Sequence, residues 1–446
     1  MLSTSTEQAQ RIVARCRQIA ACTEVPGDTT RTFLAPSMHD VHALLCGWME
    51  AAGMPVAVDA IGNLRGVYAA ASDGAPRLVI GSHLDTVPNS GAFDGVLGVV
   101  LAVALVEELH GERLPFAIEI VGFSEEEGVR FGKPYLGSFA FAGAFDKDLL
   151  ERTDAQGVRM DQAIRAFGLD PVAIPSAKMS EDAFAYLEVH IEQGPVLESE
   201  GLQLGVVSAI AGQTRMQLSF TGQANHAGTT PMHLRHDAMA AAAEWTCEVE
   251  RYAKTTPGLA ATVGRVQAYP GAGNVIAGRV VASLDVRHAE DAIRRGAVAA
   301  MVTAAREAGA ARGVHVGVVS GSDEDAVPTD TALSDLLREA AASAGYTART
   351  MVSGAGHDAR VVASRLPIAM LFLRSPKGLS HHPDESVLVE DVEAALATAL
   401  EFVRMLGQSS SRPLRETDSR GTGHPGICAV PGSEERRGWK RKEAHA

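Results

Sequence analysis

Hydrophobic positions along this chain recur as short apolar runs that end in polar turns and lead into longer apolar or amphipathic stretches. Roughly the first 55 residues read as largely helical, broken by the polar segment TEVPGDTTR. VAVDAIGNLRGVYAA and PRLVIGSHLD read as strands separated by turns. Residues 96–109 are apolar almost throughout, with Glu107 and Glu108 near the end, and at that length they predict a buried helix. LPFAIEIVGFSEEEG is again a strand, this time running into acids. YLEVHIEQGPVLE repeats the arrangement: an alternating strand, then a histidine, an acid and a Gln-Gly-Pro turn. Strands alternating with helices predict an α/β fold, and polar strand ends are where such folds place their chemistry.

Near residue 211 the pattern changes. GQTRMQLSFTGQANHAGTTPM opens on alternating apolar positions, and HDAMAAAAEWTCEVERYAK predicts a helix. GLAATVGRVQAY and GRVVASLDVRH predict two strands, DAIRRGAVAAMVTAAREAGA a second helix, and HVGVVSGSDEDAVPTD closes the region. Residues 211–326 therefore predict a small α+β domain inserted into a first domain made of 1–210 and 327–407. In the returning part, PIAMLFLR predicts a buried strand and SVLVEDVEAALATALEFVRML a final helix. Residues 408–446, rich in Ser, Gly, Pro and mixed charge, predict disorder.

Composition narrows the function. A chain of 446 residues with 46% hydrophobic content can bury two cores. Its net charge of -14 argues against general nucleic-acid binding, while leaving room for a local arginine that meets a small anion. Cys16, Cys22, Cys46, Cys247 and Cys428 are widely spaced and form no CxxC pair, so neither a disulfide framework nor a thiolate zinc site is expected. MLSTSTEQAQRIVARC lacks an apolar signal core and no stretch reads as a membrane span, which together predict a cytoplasmic protein.

The candidate metal ligands are His83, Asp94, Glu127, His190 and His381, each beside a predicted strand end or in a Gly-rich turn. Imidazole and carboxylate without thiolate suit zinc, cobalt, nickel or manganese. Five ligands exceed the need of one tetrahedral zinc, and a two-metal site sharing a carboxylate uses them more naturally. Each has a plainer reading: the histidines as ordinary surface or satisfied polar groups, Asp94 as the cap of the helix that starts at Val96. The acids in SEEEG, residues 124–128, would repel one another in a solvated loop. Beside metal ions, one could ligate while its neighbour accepts a proton from water.

The stretches GSHLDTVPNSGAFDG, GFSEEEGVRFG, HIEQGP, GQANHAGTTPM, GAGNVI, DVR, SGAGHDA and GLSHHPDES span about residues 81–386. Together they resemble an M20-type metallopeptidase-fold amidohydrolase. The branch is that of allantoate amidohydrolases, N-carbamoyl-L-amino-acid hydrolases and β-ureidopropionases. The resemblance implies an α/β metallopeptidase-like catalytic domain with an inserted α+β lid and dimerisation domain. It implies that His83, Asp94, Glu127, His190 and His381 bind two divalent metal ions, with Asp94 bridging. Glu126 would be the general base, and Asp85 would orient His83 from behind. The family motif has a small polar residue where this chain has His382, so His381 and His382 both stand as ligand candidates, with His381 preferred.

By the same resemblance, His226 polarises the scissile carbonyl, reaching across between subunits or closing with the lid. Asn274 and Arg287 take the substrate carboxylate, although Arg287 has a plainer role as the ion-pair partner of Asp285. Gln193 and the turn at 353–358, with Gly356 and His357, would complete the pocket. The implied partner is a small ureido carboxylate in a homodimeric enzyme, with no nucleic acid and no membrane. Allantoate stands ahead of N-carbamoyl amino acids. A metal-stabilised binding protein is the alternative outside enzymes, and it leaves Glu126 without a purpose.

Overall fold

The computed structural model describes residues 4–410 and shows an α/β chain with two main sheets. Among the described residues the larger sheet has nine strands. Their order is Val56–Val58, Leu64–Tyr68, Ala117–Phe123, Arg77–His83, Ala183–Ile191, Ile368–Leu373, Leu204–Ile210 and Val327–Pro328, with Ala348–Ser353 also paired to Leu204–Ile210. The central neighbours Ala117–Phe123, Arg77–His83, Ala183–Ile191 and Ile368–Leu373 are mutually parallel. Their carboxyl ends therefore open on one edge of the sheet.

The apolar run after GAFDG becomes the helix Val96–Glu108, and every residue from Val96 to Val106 is buried. A helix that is apolar all round belongs inside, and each fully buried Val or Leu contributes about 1.5–3 kcal/mol. Gly98 sets how closely it packs: a Cβ there would lie 2.1 Å from the Val189 carbonyl of the central strand. No side chain caps the helix start, so Asp94 is not spent as a cap.

The second unit is a five-stranded antiparallel sheet, again among the described residues. It runs Val266–Tyr269, Arg279–His288, Gly212–Thr221 and His315–Glu324, with Ala260–Thr262 also against Arg279–His288. Helices Ala238–Thr255 and Asp291–Ala310 complete it, and the buried Trp245 between them donates its indole N–H to the Met301 carbonyl at 2.9 Å. The chain passes from the large sheet to the small one at Ala211 and returns at Asp325 and Ala326.

The last helix, Val389–Ser410, runs past residue 407, so the stretch expected to be disordered begins with helix. Earlier in that helix Phe402 and Val403 are buried. The rest of that stretch, with Cys428, lies outside the described residues. Cys16, Cys22, Cys46 and Cys247 are free thiols. Among the described residues no helix is long and apolar enough to cross a membrane.

Candidate metal centre

Four parallel strand ends supply the site. His83 closes Arg77–His83, His190 lies at the end of Ala183–Ile191, Glu126 and Glu127 follow Ala117–Phe123, and His381 lies in the loop after Ile368–Leu373. Asp94 enters from the turn before the buried helix. Among the described residues, three overlapping groups bring ligand atoms within 4.8 Å of one another: His83–Asp94–His190, His83–Glu126–Glu127 and Asp94–Glu127–His381.

The donor chemistry fits divalent cations. His83 Nδ1 lies 3.0 Å from the Asp85 carbonyl, and His190 Nδ1 lies 2.9 Å from the Ile191 carbonyl. A carbonyl oxygen only accepts, so each Nδ1 carries hydrogen and each ring turns its Nε2 towards Asp94 Oδ1, at 3.6 and 3.1 Å. The Gly95 N–H donates to His190 Nε2 at 3.2 Å, which marks that nitrogen as a lone pair. Asp94 Oδ1 is buried without a hydrogen-bond partner. Two imidazole lone pairs and a buried carboxylate oxygen converging at one point call for a cation. Without a metal the field draws protons instead: burial opposes charge on both rings, yet Asp85 and Asp94 raise His83, and Asp94 raises His190.

Asp94 Oδ2 faces the other way. It lies 3.2 Å from His381 Nε2, which is 3.4 Å from Glu127 Oε1. Asp94 and then Glu127 push the His381 imidazole up to about 10. Gln193 Nε2 and Ser380 Oγ each donate to the same Asp94 oxygen at 3.0 Å. His381 holds a left-handed backbone (φ 55°) that turns its ring inward. The His382 ring instead accepts the Asp384 N–H. Of the two histidines, His381 is the one brought to the cluster.

The acids of SEEEG do not form a solvated loop. Burial and then Asp85 push the Glu125 carboxyl well above the ordinary range. Burial does the same to Glu126, against the pull of His83. Asp85 organises the loop: its two oxygens accept the Glu126 N–H at 2.9 Å and the Glu127 N–H at 3.1 Å. Its closest contact with His83 is through its own backbone carbonyl, while the carboxylate stands 3.5 Å from Nδ1. Asp85 thus holds His83 and the acidic loop together.

A cavity of about 610 Å³ opens over the cluster, lined by both units. The large sheet's side includes Tyr135, Gln193, Gly356 and Ser380, and the inserted unit offers Gln213, Arg215, Arg287 and Glu324. Arg287 keeps its ion pair, with Nε and Nη2 donating to Asp285 at 2.9 Å each, and Nη1 donates to the Gly354 carbonyl at 2.6 Å.

His357 does not line the cavity. It is buried, bonded to Ser353 Oγ at 2.9 Å and packed edge-on to His190 with ring centroids 4.6 Å apart. Packing behind His190 turns the ring away from the pocket, and burial holds it well below the ordinary imidazole range. His226 and Asn274 are also outside the cavity lining. They lie at an exposed two-strand ladder, Asn225–His226 with Val275–Ile276, where the Ala227 N–H donates to the Asn274 carbonyl. Both side chains are exposed on the inserted unit.

Glu385 has no role in the sequence pattern, yet its buried Oε1 accepts the N–H of Phe93 at 3.0 Å and of Asp94 at 3.1 Å. Burial and then Asp94 push its carboxyl up to about 7. The only local sign is its place in HHPDES, beside His381.

Residues 79–405 match the peptidase family M20/M25/M40. The chain is 37% identical to allantoate deiminase 1 of Glycine max over 428 residues, covering 88% of this chain and 89% of that protein. It is 36% identical over 405 residues to an N-carbamoyl-L-amino acid amidohydrolase of Geobacillus stearothermophilus, covering 90% and 99%. A crystal structure of an amidase of the hydantoinase/carbamoylase family from Burkholderia multivorans superposes with a TM-score of 0.84 at 33% identity, covering 89% of this chain and 97% of that one. With the ligand cluster in place at the strand ends, the chain belongs to the peptidase family M20/M25/M40, as a hydrolase of its hydantoinase/carbamoylase branch.

Proposed function

We propose that this enzyme hydrolyses the terminal C–N bond of a small ureido carboxylate, with allantoate as the favoured substrate. His83, Asp94 and His190 would hold one divalent ion, and Asp94, Glu127 and His381 a second. When bound, such ions polarise a carbonyl and make water acidic enough to attack it near neutral pH.

Glu126 is the base: its carboxyl is buried in the cavity wall beside His83 and Glu127, and the two ligand sets are complete without it. It takes a proton from the attacking water and returns it to the leaving nitrogen. Water oxygen bonds to the ureido carbon, the C–N bond breaks and ammonia departs. The carbamate left on the substrate then loses carbon dioxide. Gln193 is held by Asp94 and Ser380, and its carbonyl oxygen, buried without a partner, is placed to accept a substrate N–H. Arg287 meets the substrate carboxylate with the N–H groups that Asp285 and Gly354 leave over. His226 and Asn274, exposed on the inserted unit, serve the cavity of the partner subunit in a homodimer or reach their own on closure.

The observation that favours allantoate is the cavity wall. Among the described residues lining it, Pro134, Ala355 and the Tyr135 ring are the main apolar surface, facing Gln193, Gln213, Arg215 and Glu324. Such a wall suits an acid with several hydrogen-bonding arms better than an aliphatic amino-acid side chain. Ammonia release by metal-reconstituted protein tests this on allantoate and on N-carbamoyl derivatives of glycine, leucine and methionine. The expected result is a higher kcat/KM for allantoate. Preference for the leucine or methionine derivative would overturn the substrate assignment, and inactivity on every compound would overturn the reaction.

A further inference from the structure

We propose that Arg360 is a positioning residue that ties together the two chain crossings between the units and so sets the inserted unit over the metal cluster. Its Nη2 donates to the Ala211 carbonyl at 2.6 Å, and its Nη1 to the Asp325 carbonyl, also at 2.6 Å. Ala211 is the outgoing crossing and Asp325 the returning one. One guanidinium therefore bridges both strands about which the units would rotate. Among the described residues it forms no ion pair, because the Asp325 carboxylate is taken by Arg294 and Arg295. Its two terminal nitrogens each serve one backbone oxygen, a spacing that the planar fork of arginine presets and the single nitrogen of lysine does not.

The place of the bridge gives it a consequence for the site. Gln213 lies two residues beyond one clamped carbonyl and Glu324 one residue before the other, and both line the cavity. Arg360 itself follows the 353–358 turn on the short helix Ala359–Val362. That turn is joined to the inserted unit a second time, through Arg287 and the Gly354 carbonyl, and to the outgoing crossing by the Ala211 N–H on the Ser353 carbonyl at 2.9 Å. The crossings leave little slack: a Cβ on Gly212 would lie 2.8 Å from the Ala326 nitrogen. Fixing two carbonyls at this point holds Gln213, Glu324 and Arg287 in one relation to Glu126 and the ligands, and small misplacements of such groups are costly to rate.

Amide exchange and kinetics on the full, metal-loaded chain test the proposal, using Arg360→Ala and Arg360→Lys. Peptides covering 209–214 and 322–328 are expected to exchange about tenfold faster in both variants, with 279–288 unchanged. In the kinetic arm, which rests on the ureido-acid reading, Arg360→Ala is expected to lower kcat/KM about tenfold in the wild-type background but less than twofold beside Arg287→Gln. Unchanged exchange at both crossings would overturn the clamp, as would full recovery in Arg360→Lys, which keeps the charge but lacks the second nitrogen that reaches the other carbonyl. Losses that multiply in full in the double variant would assign Arg360 a general structural role instead. The exchange arm needs no substrate, so failure of the ureido reading leaves it decisive, and Arg360→Lys carries it alone if Arg360→Ala does not fold.

Discussion

Glu385 offers a measurable link between a backbone hydrogen bond and metal affinity. Its Oε1 accepts two N–H groups from the turn that presents Asp94, while Oε2 is buried without a partner. Glu385→Ala leaves two buried donors unmet, each costing about 1–3 kcal/mol, and frees the Asp94 turn. Losses of this kind behind a ligand reduce metal affinity about 10–100-fold. Glu385→Gln keeps the accepting oxygen and is expected to stay within about threefold of wild type. Competition against a chelator of known affinity measures this directly. Equal affinities for the alanine and glutamine variants would refute the reasoning.

The same residue gives a pH prediction for the metal-free protein. Its carboxyl rises from 4.5 to about 7 on folding, so the folded protein holds the extra proton in between and loses stability as pH rises through that window. The full effect is about 3 kcal/mol, and Glu385→Gln removes it. Urea unfolding at pH 5 and pH 8 is therefore expected to show the glutamine variant gaining on wild type at the higher pH. A constant difference across that range would refute the assignment of burial and Asp94 as the cause.

Three further outcomes follow from the geometry. Glu126→Gln is expected to keep its metal, by elemental analysis, and to lose about 10²–10⁴-fold in kcat; metal loss instead would move Glu126 into the ligand set. Arg287→Lys removes the planar fork, and KM for a substrate bearing the carboxylate is expected to rise about tenfold, with unchanged kinetics excluding it from the site. Gly98→Ala places a methyl 2.1 Å from the Val189 carbonyl and is expected to lower stability by about 1–3 kcal/mol in denaturant titration, an effect that wild-type stability would rule out.

How much of the site can be read from the chain depends on what each residue touches. His83, Glu127 and His190 stand out because each ends or follows an apolar strand, and a parallel sheet brings such ends together whatever their separation in sequence. The alternation that marks the strands also marks the inserted α+β unit, so the two-sheet architecture is legible from periodicity. Glu385 and Arg360 are not, because their partners are backbone atoms. Phe93 lies 292 residues from Glu385, and Ala211 lies 149 from Arg360, with no side-chain chemistry at the far end to announce the pairing.

His357 is a different case. Its motif points to the right turn, but which way a ring faces is decided by packing against His190 and Phe372, and both arrive from other strands. His226 extends that point to the scale of the molecule. Its motif names a residue type suited to an oxyanion, while the fold carries it on an exposed ladder that is not among the residues lining the cavity. A cavity already walled by four residues of the inserted unit is sensitive to how that unit is set. The geometry of the cavity then depends on the relation between the units, and the two carbonyls under Arg360 are where we propose that relation is fixed.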